Sequence, residues 1–166
     1  MHGQGSNQYQ TRPSPPGPGV KAAGRHLLIQ ASQPADWVEQ HTAALREPST
    51  PPETFLQLSG NKNSRMRYEV AVHETCPPDV LVALNQDDSP SVRNGAAANP
   101  ATPPEALQSL SRDPNQWIRW TVTQRSDCPP ELLQQMLEDT EIMVARAAAE
   151  HPALPRHIRA MWQLAH

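Results

Sequence analysis

Two cysteines, seven histidines and a spaced set of arginines are the side chains here that could do more than pack. Cys76 and Cys128 each precede a Pro-Pro pair. A reactive thiolate needs a nearby base or positive charge, and the sequence places no histidine beside either. Neither belongs to a Cys-x-x-Cys pair, so a zinc site has no first half. His73 and His151 are followed by the same number of residues before the next proline pair or its remnant. They stand at the end of a helical segment, where a cation favours the helix dipole. They are too widely separated to share a metal. Arg67, Arg93 and Arg119 recur at one interval, flanked by Glu53, Asp79, Glu105 and Glu131 on one side and Asp87, Asp113 and Asp139 on the other. No Ser-His-Asp order, glycine-rich phosphate loop or paired-carboxylate motif accompanies them. Catalysis, a cofactor and a bound metal are therefore not expected.

What must position these residues is a repeat. Pro-Pro returns at Pro51-Pro52, Pro77-Pro78, Pro103-Pro104 and Pro129-Pro130, and Pro155 falls one step further. The period is 26 residues, and such arrays bury each unit against its neighbours. In the unit from Asn99 to Gln124, Thr102-Pro103-Pro104-Glu105 reads as a capping box with proline in the first helical turn. Leu107 and Leu110 form the buried stripe of a first helix. Their equivalents are Phe55 and Leu58, Leu81 and Leu84, Leu133 and Met136. Asp113-Pro114 reads as the start of a second helix with Asp as its cap, matched by Asn61, Asp87 and Asp139. Ile118 and Val122 give that helix its core face, matched by Met66 and Val70, Val92 and Ala96, Val144 and Ala148. Two repeat steps put roughly 20 Å between the cysteines, beyond the roughly 7 Å reach of a disulfide, so both are expected as free thiols.

Adjacent arginines in the 67, 93, 119 column would lie about 10 Å apart and repel by about 0.4 kcal/mol in water. The acidic columns offer the offset, as an internal Arg–carboxylate ladder between repeats. The column breaks in the fourth repeat, where Ala145 takes the slot and Arg146 follows, about 100° round the helix. Beside it runs a column that varies: Tyr68, Asn94, Trp120, Arg146. Slots that vary within a repeat are usually the solvent-facing ones that meet partners. Trp117 and Trp120 share one helix face, with the composition of a binding hot spot. The expected contact face is Tyr68, Arg93, Asn94, Trp117, Arg119, Trp120 and Arg146, taking a protein or peptide.

The string Asn99-Pro100-Ala101-Thr102-Pro103-Pro104-Glu105-Ala106-Leu107, with Asp113-Pro114 and Ile118-Arg119 after it, resembles the leucine-rich repeat variant family. Ser91-Val92-Arg93 running into Ala96-Ala97-Ala98-Asn99-Pro100 does so too. The resemblance covers about residues 47 to 155. It implies a right-handed solenoid alternating α- and 3₁₀-helices. The family's founding member carries an iron–sulfur cluster on an N-terminal cysteine cluster; the N-terminal arm here has no cysteine, so that chemistry does not transfer.

The reading is then an all-α fold, a right-handed α-solenoid of about five 26-residue two-helix repeats. Residues 1–24, rich in Gly, Pro, Gln and Ser, are expected to be a disordered arm, and 25–46 a degenerate N-terminal capping repeat. Residues 47–150 form four repeats and 151–166 a C-terminal capping half-repeat. The expected function is a non-catalytic scaffold, with a cytoplasmic location and no membrane contact. Nucleic-acid binding along the Arg column, with Trp stacking on bases, is the alternative. The net charge of −3 opposes it, because phosphate contacts are made by cations.

Overall fold

The computed structural model describes residues 50–166 together with Ala43 and Leu45. The proposed arm lies outside the described residues, as does nearly all of the degenerate repeat. All described residues belong to one unit of the chain.

Among the described residues there are nine helices and no strand. The first helices of successive units are α1 (Pro52–Ser59), α3 (Pro78–Leu84), α5 (Pro104–Leu110) and α7 (Pro130–Met136). The second helices are α2 (Ser64–Ala71), α4 (Pro90–Ala98), α6 (Gln116–Thr123) and α8 (Ile142–Glu150). Helix α9 (Arg156–Ala165) fills the first-helix place of the last half-unit. Both helices of each unit are α-helical, whereas the family resemblance implied a 3₁₀ partner.

The double proline starts each first helix one residue later than expected. The leading proline, extended at φ −73° and ψ 157° in Pro103, is the N-cap, and the second occupies the first turn, where no N–H partner is lost. Thr102 is therefore too early to cap, and the expected capping box with Glu105 does not form. Its buried hydroxyl instead donates to the Ala96 carbonyl at 2.6 Å, tying the turn back to the end of α4. The second helices also start late. Their N-caps are Asn63, Ser89, Asn115 and Glu141, not Asn61, Asp87, Asp113 and Asp139. Asn63 and Asn115 accept from the backbone N–H of Arg65 and Trp117. The residue two earlier makes a turn instead: each of Asn61, Asp87, Asp113 and Asp139 accepts from the N–H of the N-cap residue.

The apolar rows are buried as the period predicts. Phe55, Leu81, Leu107 and Leu133 are buried, as are Leu58, Leu84, Leu110 and Met136. Met66, Val92, Ile118 and Val144 face them from the second helices. Cys76, Thr102, Cys128 and Leu154 form a further buried row at the turn into each first helix. Helix α2 packs on α4, α4 on α6 and α6 on α8, each second helix also touching the first helix of its own unit. Short helices of seven to nine residues would be marginal alone and owe their stability to this contact. Gly95 lets α4 approach α2 closely: a methyl group there would lie 3.1 Å from Ala71 Cβ and from Val72 Cγ1.

Candidate interaction face

Two polar ladders tie each unit to its neighbour. The first ladder is the arginine column. Arg93 Nε donates to Asp113 Oδ2 at 2.7 Å and its Nη2 to Oδ1 at 3.1 Å, a bidentate fork across units. Its Nη1 donates to the Asp87 main-chain oxygen at 2.8 Å. Arg67 repeats the arrangement on Asp87 and the Asn61 oxygen, and Arg119 on Asp139 and the Asp113 oxygen. The partners are thus the second acidic row; Glu53, Asp79, Glu105 and Glu131 are exposed and take no part. The like-charge repulsion anticipated within the arginine column is offset rung by rung. The same observation removes Arg93 and Arg119 from the expected contact face. The Arg93 side chain is only 14% exposed and its fork is spent on Asp113; Arg119 is held the same way on Asp139.

Burial alone would push the Asp87 carboxyl up. The Arg67 hydrogen bond, the Ser89 N–H and the charges of Arg67 and Arg93 outweigh it and hold the group below the usual carboxylate range. Asp139 is lowered likewise against its own burial, by Arg119 and the Glu141 N–H. Asp127 is lowered first by its hydrogen bond from Arg125, against a smaller cost of burial. Unfolded aspartates take up protons near pH 4. Between that value and the lower folded ones the unfolded chain binds more protons. The stabilisation is therefore complete above about pH 5 and is lost as pH falls through the folded values. Urea midpoints are expected to change little from these groups between about pH 7 and 5 and to fall below about pH 4, and an Asp87→Asn/Asp139→Asn variant to lose part of that acid limb.

The second ladder is made by His73, Asn99, Arg125 and His151, which share one slot. Each reaches back to carbonyls of the preceding unit. Asn99 Nδ2 donates to Ala71 and His73 oxygens at 2.7 and 2.8 Å. Arg125 Nη1 donates to Ala97 at 3.0 Å and to Asn99, while His151 Nε2 meets the Arg125 oxygen at 2.8 Å and His73 Nε2 the Leu45 oxygen. The carbonyls of Ala71, His73, Ala97, Asn99 and Arg125 lie at or just past helix C-termini, where carbonyls have no intrahelical partner. Each unit therefore caps the helix end of the one before it. In both histidines Nδ1 accepts a backbone N–H two residues on, from Thr75 and Ala153, so Nε2 carries the proton that the carbonyl accepts. Arg159 closes the series: it stands in the slot of Leu133, and its Nη2 donates to the His151 oxygen at 2.6 Å.

Both thiols are buried. Burial first, then the charge of Asp79, pushes Cys76 up to about 12, and burial with Asp127, partly countered by Arg125, pushes Cys128 up to about 11. They stay protonated at neutral pH and lack the character of nucleophiles.

Several of the variable slots remain at the surface of the second helices. Trp117 is 55% exposed and Tyr68 38%. Trp120 is half-buried, resting partly on the core beneath α6 and α8. Asn94 accepts from Thr121 Oγ1 at 2.8 Å and so bridges α4 to α6. Trp120 and Arg146 converge on an open groove of about 530 Å³ at the ends of α6 and α8, with Met143, Gln124 and Glu150. A second depression of about 470 Å³, lined by Ala98, Pro100 and Thr121, shares Gln124 and Ser126 with it. Met143 stands one unit on from Trp117 in the same slot, and Gln124 and Glu150 share another slot that varies from unit to unit. Among the described residues no helix is long and apolar enough to cross a membrane, and no three His, Cys, Asp or Glu side chains gather as a metal site would need.

No family model, curated protein or solved structure matches the chain.

Proposed function

We propose that this chain is a non-catalytic repeat scaffold, a right-handed α-solenoid of the leucine-rich repeat variant kind, which binds a protein or peptide in the cytoplasm. The partner lies along the outer face of the second helices, centred on Trp120, Met143 and Arg146 and flanked by Trp117, Asn94 and Tyr68. One observation carries the reading. The apolar rows and the arginine column are consumed internally, by the core and the first ladder, while Tyr68, Trp117 and Arg146 stay exposed on the second helices and Trp120 is half-buried beside them. Variation there costs the fold nothing, so it is free to encode a partner. The alternative of nucleic-acid binding loses its motive, because the guanidiniums meant to track phosphates are forked onto Asp87, Asp113 and Asp139.

The test is a comparison of immobilised wild-type chain with Trp117→Ala and Trp120→Ala in lysate, each checked for unchanged helicity. A buried aromatic anchor is worth about 2 kcal/mol or more, about thirtyfold in affinity. A partner retained by the wild type and lost on Trp120→Ala supports the face; equal retention by all three places the contact elsewhere.

A further inference from the structure

In the first three units the arginine of the second helix belongs to the internal ladder. In the fourth, that slot is the buried Ala145, and the guanidinium has moved one residue on to Arg146. The shift turns it out of the ladder and onto the wall of the groove between α6 and α8. Arg146 is exposed, and among the described residues it enters no ion pair. The contrast with its counterparts is direct: Arg67, Arg93 and Arg119 each hold a carboxylate in a bidentate fork, and Arg146 holds none. Met143 lies one turn before Arg146 on α8, and Trp120 of α6 lines the same groove, an aromatic and a polarizable group suited to one apolar side chain. Gln124 and Ser126 also line it, with groups that can pair with a main chain. The volume is in the range that takes a drug-sized ligand, and hence a few residues of extended peptide.

We propose that this groove recognises an extended peptide carrying a single acidic side chain, whose carboxylate takes the Arg146 fork while a neighbouring apolar side chain enters between Trp120 and Met143. This rests on the reading of the face as a partner surface and supplies the partner's chemistry. Glu150 sits one helical turn beyond Arg146 on the same groove. It repels a second carboxylate on that side, so the recognised segment has one acid beside an apolar anchor and not an acidic run. The net charge of −3 acts in the same direction, since it disfavours polyacidic ligands.

The experiment is selection of a displayed random dodecapeptide library on the intact chain, in parallel with Arg146→Glu and Trp120→Ala. The wild type is expected to enrich peptides with one Asp or Glu within two residues of a Leu, Ile, Phe or Trp. The best peptide, synthesised, loses about fivefold to tenfold in affinity when its acid is changed to the amide or when Arg146→Gln is introduced. Arg146→Glu, at an exposed position that leaves the fold intact, returns peptides with Lys or Arg in place of the acid. Peptides that depend on Trp120 but are indifferent to Arg146 would overturn the acidic preference while leaving the face standing. Enrichment of polyacidic runs by the wild type would also overturn it. Failure to enrich any peptide would remove both.

Discussion

Arg125→Met destabilises the protein by about 4 kcal/mol, the largest loss expected from any single polar residue in the described chain. The side chain is a buried cation, 5% exposed, with every N–H engaged. Nε and Nη2 fork onto Asp127, Nη1 donates to the Ala97 and Asn99 carbonyls, and Nη2 adds Pro100. Methionine fills similar volume and so isolates the loss of these bonds from the loss of packing. It strands the carbonyls of the buried residues Ala97 and Asn99, at the end of α4, without their donor. An unsatisfied buried group costs about 1–3 kcal/mol, and removing one member of a buried charged set about 3–5. The exposed half of the pair, Asp127, can find water, which keeps the estimate inside that range. Urea unfolding checks it. Arg125→Asn and Arg125→His are expected to recover part of the loss, because Asn99 and His151 already do this work in the same slot. A loss no smaller for Arg125→Asn than for Arg125→Met would mean that the slot asks for charge and not for a donor.

That slot shows what a reading of the sequence misses and why. His73 and His151 were visibly equivalent, yet Asn99 and Arg125 between them look unrelated in size and charge. What the four share is an N–H held at one height above a helix end, and the one-letter code does not display donors. The period itself was easy to read, because Leu81, Leu107 and Leu133 are alike in the property that matters, apolar volume. The helix starts fell between these cases. Asp113 and Asn115 are both good caps, as the residue preferences have it. Asp113 goes to the Arg93 fork and the Asn115 N–H, and Asn115 starts the helix.

The Arg–Asp pairing was in fact written in the sequence, at a separation of 20 residues. Asp87, Asp113 and Asp139 each follow an arginine by that distance. Where the arginine becomes Ala145, the position 20 later is Ala165, and Asn61 follows His41. Acid and base come and go together, as a pair that touches would require. A column-by-column reading sees two charged stripes and cannot choose between Glu105 and Asp113 as partner; only the offset between columns chooses. The face was less legible. Trp117 and Trp120 share a helix side by spacing, but α6 leaves the first 55% exposed and half-buries the second against the core. That difference depends on how α8 lies beside α6, which no residue of the repeat states.

The second large effect follows from the same pairing. Asp113→Ala is expected to cost about 3 kcal/mol, because one carboxylate serves two masters. It accepts the Arg93 fork and the Asn115 N–H, and its removal leaves a guanidinium facing a buried gap while the turn into α6 loses its bond. The Asp113 and Arg93 side chains are 5% and 14% exposed, so the pair lies between the surface limit of about 0–1 kcal/mol and the fully buried 3–5. Arg93→Met alone costs about 2 kcal/mol, since Asp113 keeps its backbone donor. The double variant Arg93→Met/Asp113→Ala costs clearly less than the sum, with a coupling of about 1–2 kcal/mol in a double-mutant cycle read by urea unfolding. Arg65 and Glu69 supply the control: they lie 3.8 Å apart on one exposed helix face, and their cycle is expected to give under about 0.5 kcal/mol. Additive losses at Arg93 and Asp113, matching that control, would mean the ladder positions residues without holding the units together.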